Sequence, residues 1–309
     1  MSNAEKFYKG IVKGFNNIQS EPSTGGGDFR GGNSGCITEG GTVLGADPRI
    51  AVLRHLGIEM PTTFDDNLLF QAGHTNEESL AELMKASGMK FLREEECPIR
   101  WEFAQGEETK SVTCRPDFMV YEDDKPAFGI ELKGIFSVGT AVEVAHFSGY
   151  MPKVENVCQA GHYSLKSNKL PWILQYINRN YYNIFIYGKD KFPSDHRSVV
   201  RDAKTGKAVV MKPFTTIYDI TWEGDRLLVD GTPTLVTGEG IDRYYKYLAE
   251  CVATKTVPKP HHSVNVMGDK LKRDKRKEYY DFSDADHTDW DSWVADCEQI
   301  VEVANATER

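Results

Sequence analysis

Apolar residues change their spacing along this chain of 309 residues, and each change marks an element. From Pro48 (PRIAVLRHLGI), Ile50, Leu53 and Leu56 recur at helical intervals, with Pro48 suited to a first helical position and Gly57 to an end. A second helix is predicted over EESLAELMKASG: Leu80, Leu83 and Met84 make its apolar stripe, Thr75 or Asn76 caps it and Gly88 closes it. The period then shortens, and residues 90–101 and 111–131 read as strands with turns between them. Residues 153–169 predict a helix opened by Pro152, and residues 183–187 (NIFIY) a short apolar strand. Residues 216–222 and 226–229 form a predicted hairpin around Glu223-Gly224-Asp225, followed by a helix over 241–254. This order implies an α/β fold with a mixed central β-sheet flanked by helices, plus N- and C-terminal additions. The chain divides into a glycine-rich and helical segment (1–60), a core (61–254), and a basic stretch with an acidic tail (255–309).

Composition narrows the class only slightly. Hydrophobic residues make up 40% and charged residues 27%, as in an ordinary globular protein. No apolar run is long enough to span a bilayer, and the first 18 residues lack a secretory pattern, so a cytoplasmic protein with no membrane partner is expected. The six cysteines are scattered singly, which suits reduced thiols better than a zinc ribbon or a disulfide framework. Net charge is −9, but residues 278–309 alone hold ten acids and one base, leaving a neutral body. That tail reads as a solvated terminus. Residues 255–277 hold eight bases against Asp269 and Asp274, so a nucleic-acid contact through Lys272, Arg273, Arg276 and Lys277 is compatible with the overall acidity.

The segment with chemistry runs from Cys114 to Lys133. Two strands flank the polar turn Glu122-Asp123-Asp124-Lys125, and Asp117 and Glu131 each lie seven residues from Asp124. A hairpin centred there sets the two carboxylates opposite each other, about 5 Å apart at Cβ. Like charges at that distance repel unless a cation lies between them, and Mg²⁺ or Mn²⁺ prefers such hard oxygen ligands. Strand alternation puts Lys133 on the face of Glu131 and Leu132 on the other.

Pro116-Asp117 followed by Glu131-Leu132-Lys133 resembles the PD-(D/E)xK nuclease superfamily. Gly73-His74-Thr75-Asn76-Glu77 upstream resembles the first motif of its RecB-like and lambda-exonuclease-like branch. Gln159-Ala160-Gly161-His162-Tyr163 downstream matches that branch's QxxxY motif, and Gln159 and Tyr163 share one helix face. The resemblance implies a restriction-endonuclease-like core. It implies a cation held by Glu77, Asp117, Glu131 and the Leu132 carbonyl, with Lys133, Gln159 and Tyr163 completing the catalytic set. Glu78 adjoins Glu77, and spacing barely separates them; Glu77 is chosen. The resemblance also implies DNA as the partner, contacted through Arg30, Ser34, Arg49 and Arg115, and leaves room for a recombination or single-strand-binding protein. Some relatives hold an iron–sulfur cluster through grouped late cysteines; Cys251 and Cys297 stand alone, so no cluster is expected. The implied activity is exonucleolytic cleavage of DNA ends in recombination, repair or phage replication. A structure-specific or restriction-type endonuclease, and an inactive DNA-binding module, remain the alternatives.

Overall fold

The computed structural model describes residues 28–135, 152–178, 199–201, 208–210, 215–259 and 288–307. The expected strand at 183–187 and the candidate DNA contacts Lys272, Arg273, Arg276 and Lys277 lie outside the described residues.

Three short strands come first: β1 (Phe29–Arg30), β2 (Gly35–Ile37) and β3 (Val43–Gly45). Helix α1 (Pro48–His55) follows, capped by Asp47, whose carboxylate accepts from the Arg49 N–H at 2.9 Å. Helix α2 (Phe64–Ala86) is much longer than its apolar stripe predicted. Its cap is Thr63, in a reciprocal capping box with Asp66, so Thr75 and Asn76 are interior rather than capping. Its buried stripe includes Ala81 and Met84, whereas Leu83 is 68% exposed.

The strands β4 (Lys90–Arg93), β5 (Ile99–Gln105), β6 (Glu108–Cys114), β7 (Phe118–Glu122) and β8 (Lys125–Ile135) come next. Helix α3 (Val154–Lys166) is capped at Lys153, which leaves Pro152 just outside it. Strands β9 (Trp172–Asn178), β10 (Val199–Arg201) and β11 (Ala208–Val210) precede a meander of β12 (Thr215–Glu223), β13 (Arg226–Val229) and β14 (Thr232–Thr237). Helices α4 (Gly238–Thr254) and α5 (Trp290–Thr307) complete the described chain.

Seven strands form one sheet in the order β14-β13-β12-β9-β8-β7-β4. Among the described residues of this sheet only β8 and β9 pair in parallel, and the connection between them carries α3. The result is a mixed sheet in an α/β fold. Alternation along the strands gives it two apolar faces. Phe118, Val120 and Ile130 pack with Ala81 and Met84 of α2 on one side. Leu174, Tyr176, Tyr218 and Ile220 belong to the larger cluster that contains Val157, Ala160 and Tyr163 of α3 and Tyr244 and Leu248 of α4.

The acidic C-terminal stretch departs from the expected solvated terminus. Trp290, Trp293 and Cys297 on α5 are buried in the larger cluster, while Asp291, Asp296, Glu298 and Glu302 stay exposed. Tryptophan spaced by three supplies the apolar stripe that a charge count hides. Among the described residues no helix is long and apolar enough to cross a membrane.

Candidate metal centre

The hairpin β7–β8 sets the site. Asp123 and Asp124 form its two-residue turn, with φ of 49° and 59°, the left-handed backbone that such turns require. Pairing starts at Glu122↔Lys125 and shifts by one residue between Tyr121 and Val120, so that Phe118 faces Ile130. The bulge matters because a one-residue slip sends every side chain to the other face. Without it Asp117 would be level with Ile130; with it Asp117 is level with Glu131.

Asp117 Oδ2 accepts from the Leu132 N–H at 2.6 Å, which ties the end of one strand to the next. Lys133 Nζ donates to Glu131 Oε1 at 2.5 Å. Glu131 is 1% exposed, and its buried Oε2 has no hydrogen-bond partner among the described residues. Burial pushes the Asp117 carboxyl well above the usual range, and the charge of Glu131 adds to this, against Lys133 and the Leu132 amide. Burial raises Glu131 as well, opposed by Lys133. Burial disfavours the Lys133 ammonium, but Glu131 and Asp117 outweigh it and keep the charge in place. One ammonium thus faces two crowded carboxylates, one oxygen of which meets no donor among the described residues. That donor set fits a divalent cation with a preference for hard oxygens.

Helix α2 brings Glu77 to this group, and its charge acts on Asp117, Glu131 and Lys133 alike. Glu78, about 100° further round the helix, points away to Arg93 Nη1 at 2.6 Å. His74 Nδ1 lies 3.3 Å from Glu77 Oε2. His74, Glu77 and Glu94 bring ligand atoms within 4.8 Å of one another. Sequence reading passed over His74, Arg93 and Glu94. His74 could have been found three residues before Glu77 on the same helix face, but Arg93 at the end of β4 and Glu94 in the turn after it arrive with no local signal.

Gln159 and Tyr163 meet as their spacing predicts, with Gln159 Nε2 donating to Tyr163 Oη at 2.9 Å. Tyr163 is buried and stands edge-on to Trp172, ring centroids 5.9 Å apart. Burial, and after it the charge of Glu131, holds its hydroxyl well above the usual phenol range, so it keeps its proton. Trp172 in turn covers Gly129, where a Cβ would lie 2.2 Å from the indole ring. The Gly31–Asn33 turn approaches the same wall: a Cβ on Gly32 would be 3.8 Å from Gln159 Nε2. Leu132 has a buried side chain, and its amide is taken by Asp117.

The remaining candidates divide by exposure. Arg30 and Arg115 are on the surface, paired with Glu59 at 2.9 Å and Glu95 at 3.3 Å, and solvent reaches both. Ser34 and Arg49 are buried, which corrects their assignment as DNA contacts. Ser34 Oγ bonds His162 Nδ1 at 2.6 Å and Tyr245 Oη at 3.1 Å. The Arg49 Nε–H donates to the Pro258 carbonyl at 2.8 Å. Both are structural in the folded chain.

No protein-family model and no curated protein matches this chain. A solved structure described as "Crystal structure of SSO0001" is similar at 12% identity with a TM-score of 0.39, covering 82% of this chain and 87% of that one. Nothing about function follows from so slight a likeness.

Proposed function

We propose that this chain is a magnesium- or manganese-dependent deoxyribonuclease, an exonuclease that hydrolyses phosphodiester bonds from DNA ends. The observation that supports it most is the buried Glu131 Oε2 beside Asp117, without a hydrogen-bond partner among the described residues, with Lys133 as the neighbouring cation. Asp117, Glu131, Glu77 and the Leu132 carbonyl would hold the cation. When bound, such a cation polarises a phosphoryl oxygen and lowers the pKa of a water.

The chain's own groups supply the rest. Lys133 stays charged beside Glu131 and can orient the attacking water and offset negative charge growing on the phosphate. Tyr163 keeps its proton, so it serves as a fixed hydrogen-bonding wall and not as a base. Gln159 orients that hydroxyl. Arg30 and Arg115 are exposed in weak surface ion pairs that a DNA phosphate could displace. All six cysteines are free thiols, in keeping with work in a reducing compartment such as the cytoplasm.

The preference for DNA ends rests on the motif resemblance. It is tested by incubating end-labelled linear DNA and closed circular DNA with Mg²⁺, Mn²⁺ or EDTA. The proposal expects metal-dependent loss of the linear form alone. Cutting of the circle would turn the reading to an endonuclease, and no cutting of either would remove it.

A further inference from the structure

Two adjacent acids on α2 meet one guanidinium. Arg93, the last residue of β4, pairs across the ladder with Phe118, the neighbour of Asp117. Its guanidinium carbon lies 5.5 Å from the Phe118 ring centroid, which keeps the side chain alongside the sheet. Nη1 contacts Glu78 Oε1 at 2.6 Å and Nη2 lies 4.0 Å from Glu77 Oε2. The contact from His74 also falls on Oε2 of Glu77, at 3.3 Å. Arg93 and His74 therefore both approach the same oxygen of Glu77, Oε2.

We propose that Arg93 is a positioning residue for the Glu77 carboxylate, and that Glu78 holds Arg93 in that task. The inference rests on the metal-dependent reading above. A planar fork can engage two carboxylates along one edge, which an ammonium cannot do in the same way. Glu78 takes the close contact, so Arg93 is kept from closing fully on Glu77. A full ion pair there would neutralise a ligand that the site needs. Glu78 is thus the outward anchor of the pair, with 65% of its side chain exposed against 16% for Glu77.

Coulomb's law and positioning predict opposite signs. Removing a positive charge beside a cation site should tighten cation binding if charge alone matters. Loss of a group that orients a ligand should weaken it, by about tenfold or more. The test is a titration of the full chain without DNA, with free Mn²⁺ followed by electron paramagnetic resonance. Folding of each variant is checked by its melting curve. Arg93→Gln should bind Mn²⁺ about tenfold more weakly than wild type, Arg93→Lys should regain part of the loss, and Glu78→Gln should show a smaller loss as Arg93 swings onto Glu77. Unchanged or tighter binding in folded Arg93→Gln overturns the proposal. If that variant does not fold, Glu78→Gln decides, and unchanged affinity there overturns it. A wild-type chain that binds no Mn²⁺ would remove the metal centre itself, an outcome distinct from the others.

Discussion

Trp101 donates its indole N–H to His162 Nε2 at 2.8 Å. An indole nitrogen can only donate, so Nε2 must be the unprotonated nitrogen of the ring. The proton then sits on Nδ1, directed at Ser34 Oγ 2.6 Å away, and Ser34 passes its own hydroxyl hydrogen to the Gly31 carbonyl. The buried network is satisfied with His162 neutral.

Burial pushes the His162 pKa down to about 3 from the ordinary 6.5, and Lys166 adds to this. Between those values the unfolded chain takes up a proton that the folded chain refuses. Stability is therefore full above pH 6.5 and declines as the pH falls, by up to about 1.4 kcal/mol per unit. Denaturant unfolding of wild type and His162→Gln at pH 7, 6, 5 and 4 isolates this effect from the carboxylates common to both. The variant should be less stable at pH 7 yet lose less on acidification. Parallel curves would show that His162 carries no such penalty.

A methyl group on residue 129 has no room, because the fully enclosed Trp172 ring would be 2.2 Å away. Gly129→Ala should cost about 1–3 kcal/mol through overpacking. Since Trp172 also supports Tyr163, cleavage should fall even at temperatures where the variant is folded. An unaltered melting midpoint would contradict this packing.

Docking of α5 predicts that the acidic tail matters for stability. Trp293 is fully buried, and Trp293→Ala should destabilise the fold by about 3–5 kcal/mol. A change within about 0.5 kcal/mol, as at an ordinary surface position, would mean that the helix does not pack on the core.

The basic stretch at 255–277 should add to DNA affinity by neutralising phosphates. Changing Lys272, Arg273, Arg276 and Lys277 together to Gln should flatten the slope of log affinity against log salt, by about 0.9 for each phosphate no longer neutralised. Mn²⁺ affinity should stay the same. An unchanged slope would move the DNA path elsewhere, toward Arg30 and Arg115.

What the sequence made legible follows from the reach of each interaction. The hairpin could be read because alternation and turn symmetry are local, and centring it on Asp124 reached the register that places Asp117 beside Glu131. That centre agrees with the ladder only because the bulge offsets a turn lying between Asp123 and Asp124. The start of α2 was hidden by Gly73 and by a polar first turn, though Thr63 and Asp66 carry the capping signal. Choosing between Glu77 and Glu78 needs the phase of the helix against the sheet, which Arg93 reports only once β4 is in place. The burial of Ser34 and Arg49 leaves no local signal because their partners are remote in sequence: His162 lies 128 residues from Ser34, and Pro258 lies 209 from Arg49.

The proposed nuclease activity has the Asp117, Glu131 and Lys133 group cut DNA with a divalent cation. The most direct measurement is the single-turnover cleavage rate of linear DNA in Mg²⁺ by wild type, Asp117→Ala, Glu131→Ala and Lys133→Ala, each shown to be folded. Wild type should cleave, EDTA should abolish that cleavage, and each variant should lose well beyond tenfold, more than about 1.4 kcal/mol of barrier. A folded variant keeping over about a tenth of the wild-type rate would remove its residue from the mechanism, and a wild-type chain inert on DNA with Mg²⁺ and Mn²⁺ would contradict the claim outright.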